Sequence, residues 1–180
     1  MATAPALTMI APPDRSESAE YYHPYIDQVP EGDIREILRA QAADTIAFLR
    51  GIPDEKSLYR YAPDKWSIRE LVSHMNDTER VFVFRAYWFA RGFDSPLPSF
   101  DQNVAVSGAN ADKRSLSSHI DEFDSVRTST LSFFDNLSSE AWTRRGIASD
   151  NSFTVRALAY IAAGHVAHHS KILSQRYLQP

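Results

Sequence analysis

The sequence predicts an all-α fold: a four-helix bundle with a long loop between helices 2 and 3. Apolar residues recur at three- and four-residue intervals over four long segments. Cap and stop residues bracket those segments. No pair of alternating runs joined by a hairpin turn competes with them.

Residues 1–20 are rich in Ala, Pro, Ser and Thr, with Pro12-Pro13 in the middle, and are expected to form a flexible arm. The bundle domain is then expected over residues 21–180. Tyr21-Tyr22-His23-Pro24-Tyr25-Ile26 carries too much apolar surface to stay solvated, so it should pack across that domain. His23 itself carries no functional reading.

The first helix should begin near Asp33, an N-cap after Gly32. Ile34, Ile37, Leu38, Gln41, Ala42, Thr45, Phe48 and Leu49 form its inward stripe. Gly51 suits the position just past its end, and Pro53 blocks continuation.

The second helix has the clearest start. Ser67-Ile68-Arg69-Glu70 is a capping box, in which Ser67 accepts from an amide three residues on and Glu70 reaches back. Trp66 stands where a hydrophobic staple would, and the helix should run to about Arg91, before Gly92. Leu71, His74, Thr78, Val81/Phe82 and Arg85 share one face, so His74 faces the core.

Residues 93–111 have Pro, Gly and Asn but no sustained helical period. Such a loop is either a lid or a plain crossover. A third helix is expected over 112–136, with Leu116, Ile120, Phe123 and Phe134 in its stripe. His119 neighbours that stripe and is a candidate fourth ligand, whereas Asp121, Glu122 and Asp124 look like a solvated face. Ser138 to Trp142 suits a short helical turn, and 144–151 a turn region. The last helix should run from near Phe153 to about Tyr177, capped by Thr154 or Ser152.

Composition narrows the chemistry. The 180 residues hold no cysteine, which excludes disulfides, thiolate ligation and a Cys nucleophile. A net charge of −4 without a Lys/Arg run argues against nucleic acid as the main partner. No apolar run reaches the ~18 residues of a membrane span, and Met1-Ala2-Thr3-Ala4-Pro5 lacks the basic start of a secretory signal. The expected location is the cytoplasm, with no membrane partner.

Ala163-Gly164-His165-Val166-Ala167-His168-His169-Ser170-Lys171-Ile172-Leu173 holds three of the six histidines. His165 and His169 lie one turn apart on one helical face, a spacing that lets two imidazoles grip one ion. His168 is also one turn from His165, and periodicity does not choose between His168 and His169. His74, if it faces them across the bundle, completes a three-His site with an open fourth position, the catalytic pattern for zinc. Such an ion activates water or holds a thiol as thiolate. The alternative is three buried histidines satisfied by neighbouring polar groups.

Lys65-Trp66-Ser67-Ile68-Arg69-Glu70-Leu71-Val72-Ser73-His74, followed by Asp77-Thr78-Glu79-Arg80, resembles the DinB-like superfamily. So do Pro96-Leu97-Pro98 with Phe100-Asp101-Gln102, and the closing Gly164-His165 with His168-His169, Ile172-Leu173 and Arg176-Tyr177-Leu178. Tyr25-Ile26 and Val29 to Asp33 also resemble its members, which include bacillithiol S-transferases. The likeness covers residues 20–178.

The resemblance implies an up-down-down-up bundle, often a homodimer, with a divalent metal on three histidines. The matching positions are His74, His165 and His169, which leaves His168 as a flanking residue. Members understood biochemically use a low-molecular-weight thiol: bacillithiol, mycothiol or glutathione. The expected function is therefore a metal-dependent S-transferase acting on a small-molecule substrate, with a metal-dependent hydrolase or a non-enzymatic, stress-associated metal protein as alternatives. Zinc and nickel both suit imidazole ligands.

Other polar residues have two readings each. Asp77 or Glu79 could orient a ligand imidazole, though helix-surface charge is the plainer role. Asp101 and Gln102 could approach the open position from the loop. Arg156 suits either a carboxylate on the thiol or a surface ion pair. No catalytic residue is assigned among them.

Overall fold

The computed structural model describes residues 9–179. Six α-helices are present among them: α1 (His23–Ile26), α2 (Ile34–Arg50), α3 (Ile68–Ala90), α4 (Gln102–Ala109), α5 (Leu116–Asp135) and α6 (Val155–Ile172). A π-helical turn, Leu173–Tyr177, prolongs α6. Two short strands, β1 (Arg145–Ala148) and β2 (Asn151–Thr154), precede α6. The four long helices α2, α3, α5 and α6 pack as a bundle, with α3 against both α5 and α6.

The caps act as the sequence implies. Asp33 accepts the Arg35 amide at 2.9 Å. Ser67 Oγ accepts the Glu70 amide at 3.0 Å, and Glu70 Oε2 accepts the Ser67 amide at 2.9 Å. Thr154 Oγ1 accepts the Ala157 amide at 3.1 Å and starts α6. Each side-chain oxygen satisfies an amide that the helix cannot pair internally.

The core divides into two apolar clusters. One holds Ile34, Leu38, Phe82, Phe89, Phe134, Trp142, Phe153 and Leu158. The other holds Leu49, Ile68, Val72, Met75, Leu116, Phe123 and Leu173. On α3 the division falls between Met75 and Phe82, and on α6 between Ala163 and Val166. Polar residues fill this seam. Glu79 accepts from Arg127 Nε and Nη2, both at 2.8 Å, and from Thr130 Oγ1 at 2.8 Å. Arg127 Nη1 donates to Leu38 O and Gln41 Oε1, both at 3.0 Å. The pair joins α2, α3 and α5 across the bundle centre.

The chain is mostly helical as expected, with one short departure from the all-α expectation. Residues 145–154, expected as a turn and a helix start, form an antiparallel hairpin with Arg145 opposite Thr154. Its turn residues Ser149 and Asp150 have φ of 50° and 60°. That geometry favours Asn or Gly, and neither residue stands here to mark the hairpin in the sequence. Phe153 therefore lies in β2, and α6 begins at Val155. Leu97 bonds to the hairpin, donating to Ile147 O at 2.9 Å and accepting from the Ser149 amide at 3.1 Å. The 93–111 connection is thus pinned at its start, and α4 occupies its second half. The third long helix begins at Leu116, after a 3-10 turn over Ala111–Lys113.

Residues 1–8 of the segment read as an arm lie outside the described residues. Residues 9–20 pack on the bundle. The Glu17 carboxylate is buried, accepts from Arg156 Nε at 2.7 Å and from Thr154 Oγ1 at 2.7 Å, and pairs with Arg156 Nη2. Tyr160 hydroxyl donates to Ile10 O at 3.1 Å. The segment that follows, Tyr21 to Ile26, crosses α6 as expected. A Cβ on Gly164 would sit 2.0 Å from Tyr25 O, so only glycine lets α1 approach this closely. Among the described residues no helix is long and apolar enough to cross a membrane.

Candidate metal centre

His74 sits on α3 two turns after the capping box, and His165 and His169 sit one turn apart on α6. The bundle brings all three together at the polar seam. His165 Nε2 lies 3.1 Å from His74 Nε2 and 3.0 Å from His169 Nε2. All three ligand atoms lie within 4.8 Å of one another. The residues are 2%, 6% and 8% exposed. The Trp66 ring packs 4.8 Å from His74, and the Phe82 and Tyr25 rings each stand 5.8 Å from His165.

This setting keeps the imidazoles neutral. Burial pushes His74 down to about 4. Burial, and then the neighbouring histidines, push His169 down to about 3 and His165 well below its usual value. A neutral imidazole keeps one nitrogen lone pair for an acceptor role or an ion. Thr78 Oγ1 lies 3.2 Å from His74 Nδ1. With the proton on Nδ1 donated to that hydroxyl, the Nε2 lone pair points at the other two rings, as an outer-sphere partner fixes a ligand tautomer.

The residues fit a divalent ion. A tetrahedral zinc with bonds of about 2.0–2.1 Å sets its nitrogens about 3.3–3.4 Å apart. The two separations about His165, 3.0 and 3.1 Å, need only a slight opening, and the third pair lies within 4.8 Å. Three facing Nε2 atoms also cannot all be satisfied by one another, because each neutral pair needs one N–H and one lone pair. An ion at their centre removes that conflict.

None of the remaining sequence candidates joins the three histidines, although Asp101 and Gln102 line a cavity that reaches His165. His168 packs its ring 5.1 Å from Tyr25 and lines a separate cavity with Pro24 and Gln28. His119 is buried, with Nε2 2.9 Å from Ala111 O, and stands outside the cluster. Glu79 is no surface charge, since its carboxylate is buried against Arg127. Asp77 pairs with Arg80 at 3.3 Å. Asp101 caps α4, accepting the Asn103 and Val104 amides at 2.8 and 3.2 Å. Arg156 is committed to Glu17.

Two cavities reach the cluster. One, of about 470 Å³, touches His165 and Thr78 and is walled by Tyr22, Arg85, Asp101 and Ser149. The other, of about 280 Å³, touches His169 and is walled by Trp66, Lys65, Asn103 and Tyr177. Sequence reasoning placed Arg85 on the stripe of His74 but assigned it nothing. Its stripe position was the available signal.

The sequence pattern of the DinB superfamily matches residues 37–173, most of the chain. The chain belongs to the DinB superfamily. Two solved structures share the fold of this DinB chain. One is YfiT from Bacillus subtilis, described as "a probable metal-dependent hydrolase with an unusual four-helix bundle topology". It matches with a TM-score of 0.67 and 14% identity, covering 91% of this chain and 89% of that one. The other is the mycothiol-dependent maleylpyruvate isomerase, with a TM-score of 0.65 and 11% identity. That match covers 83% of this chain but 61% of the isomerase, which is the longer protein. No curated protein sequence matches this DinB chain.

Proposed function

We propose that this DinB-superfamily protein is a divalent-metal-dependent enzyme, a thiol S-transferase with His74, His165 and His169 as the metal ligands. The convergence of three neutral imidazoles between two cavities carries this reading. Bound there, a divalent ion of zinc or nickel supplies the charge that holds a low-molecular-weight thiol as its thiolate.

The chain's own residues do the rest. Burial keeps the imidazoles unprotonated, Thr78 orients His74, and Phe82, Trp66 and Tyr25 limit water. One cavity holds the thiol-bearing molecule and the other the electrophile. Sulfur bonds to the electrophilic carbon as the leaving group departs with its electron pair, and the thiol proton passes to solvent.

A hydrolase is the second reading, named for YfiT. Activating water calls for a nearby base. Among the described residues no carboxylate joins the cluster. Glu79 is held by Arg127, and Asp101 by the amides of α4. A bound ion lowers the pKa of water as well as of a thiol, so the lack of a carboxylate weighs only against a base-assisted hydrolase.

The up-down-down-up order belongs to the same proposal. Arg39 with Asp135 and Arg50 with Asp121 support α2 running against α5. Arg80 with Glu122 and Tyr87 with Phe133 support α3 running along α5. Tyr177 hydroxyl on Trp66 O, beside the histidine contacts, supports α3 running against α6. A homodimer in the cytoplasm, where thiols stay reduced, completes the proposal.

Elemental analysis of untagged protein tests the site. One metal per chain is expected in wild type and in His168→Ala, and none in His74→Ala or His169→Ala. Wild type without metal after reconstitution would remove the proposal. With metal bound, electrophile-dependent thiol loss that His74→Ala abolishes supports the transferase, whereas turnover without thiol supports the hydrolase.

A further inference from the structure

Among the described residues three arginines are buried: Arg35, Arg85 and Arg127. Arg35 pairs with Asp33 at 2.6 Å, and Arg127 with Glu79 at 2.8 Å. Arg85 is 3% exposed and faces neutral acceptors alone among the described residues. Its Nη2 donates to Ser149 Oγ at 2.9 Å and to Pro98 O at 3.2 Å, and the Tyr22 hydroxyl stands near the guanidinium. A buried guanidinium keeps its charge, and that charge is costly without an anion.

The position of Arg85 gives this cation a use. It lines the cavity of about 470 Å³ that Thr78 and His165 also line. No lysine and no second arginine lines that cavity. Its one carboxylate, Asp101, is engaged by two α4 amides. Arg85 follows Thr78 by seven residues on α3, about 10 Å of axial rise. The loop at Pro98 and the hairpin turn at Ser149 hold the guanidinium in place. A guanidinium fixed through Nη2 still presents its Nε and Nη1 donors to a carboxylate oxygen.

We infer that Arg85 binds a carboxylate on a ligand whose other end reaches the histidine cluster, so this cavity takes a small carboxylate-bearing molecule. The event at the histidines rests on the proposed thiol transfer, whereas the carboxylate contact stands without it. The carboxylate belongs either to the electrophile or to the thiol. Arg85 is a binding residue that sets specificity and takes no part in bond making.

Calorimetry with succinate, on protein stripped of metal by EDTA, tests the contact apart from any reaction. Succinate should bind wild type, and its neutral analogue succinamide should not. Arg85→Gln should weaken succinate about tenfold or more, the effect of losing a charged hydrogen-bonded pair. Arg85→Lys should keep part of the affinity. Equal binding of succinate and succinamide by wild type, which needs no variant, would overturn the inference. So would unchanged succinate affinity in a folded Arg85→Gln protein. A wild type that takes up no metal would sink the transferase and leave this result intact. Competition between succinate and glutathione would place the thiol's carboxylate at Arg85, and simultaneous binding would place the electrophile's there.

Discussion

Replacing Glu79 by alanine should cost about 3–5 kcal/mol, the range for removing one partner of a buried ion pair. The structure sets the mechanism. Arg127 is fully buried, and two of its donors, Nε and Nη2, end on Glu79. Leu38 O and Gln41 Oε1 accept only from Nη1. Without Glu79, a full positive charge and two N–H groups remain in a dry core, and Thr130 loses its carboxylate acceptor. For a chain of this size each kcal/mol shifts Tm by about 2–4 °C, so a fall of about 6–20 °C is expected. Urea unfolding followed by circular dichroism gives the free energy, and calorimetry gives Tm. The double replacement Glu79→Leu with Arg127→Met should recover most of the loss, because it removes the charge together with its partner. A loss of about 1 kcal/mol or less for Glu79→Ala, the scale of an exposed pair, would refute the reasoning.

Gly164→Ala should destabilise by about 2 kcal/mol or more through backbone overlap with Tyr25, and should speed hydrogen exchange over residues 23–26. Gly108→Ala is the control: it meets nothing within 4 Å, so denaturation should find it neutral or slightly stabilised. Acid should weaken metal-free protein early. The unfolded histidines take protons near 6.5, while His74 holds out to about 4 and His169 to about 3. The folded state binds fewer protons across that window, so this stability is complete above pH 6.5 and is lost as pH falls through 4 toward 3. Urea midpoints at pH 8, 6 and 5 check it, and a flat profile in wild type would contradict neutral burial. Zinc should raise Tm in wild type and leave His169→Ala unmoved, as thermal scans with and without EDTA would show.

Local chemistry made much of this molecule legible. The Ser67–Glu70 box, the Asp33 and Thr154 caps, and the stripes of α2, α3, α5 and α6 depend on residues within a few positions of one another. So does the His165–His169 pair, which one helical turn defines. Only the family resemblance or the packing itself links His74 to that pair, because α3 and α6 are far apart in the chain. The hairpin escaped notice because its strands have four residues each and its turn uses Ser149-Asp150. Its stability comes from packing under α3, where Phe89 touches Gly146, and from Leu97 on its edge.

The sequence by itself determined the four long helices, several of their caps, the absence of thiol chemistry from the chain and the imidazole pair, all set by covalent neighbours and helical period. Only the tertiary structure decided which charges are buried. It put Glu79 against Arg127, Glu17 against Arg156, and Arg85 in a cavity facing neutral groups. A charged residue costs little in water and much in the core, and burial follows from which helices meet, a matter of contacts distant in the chain.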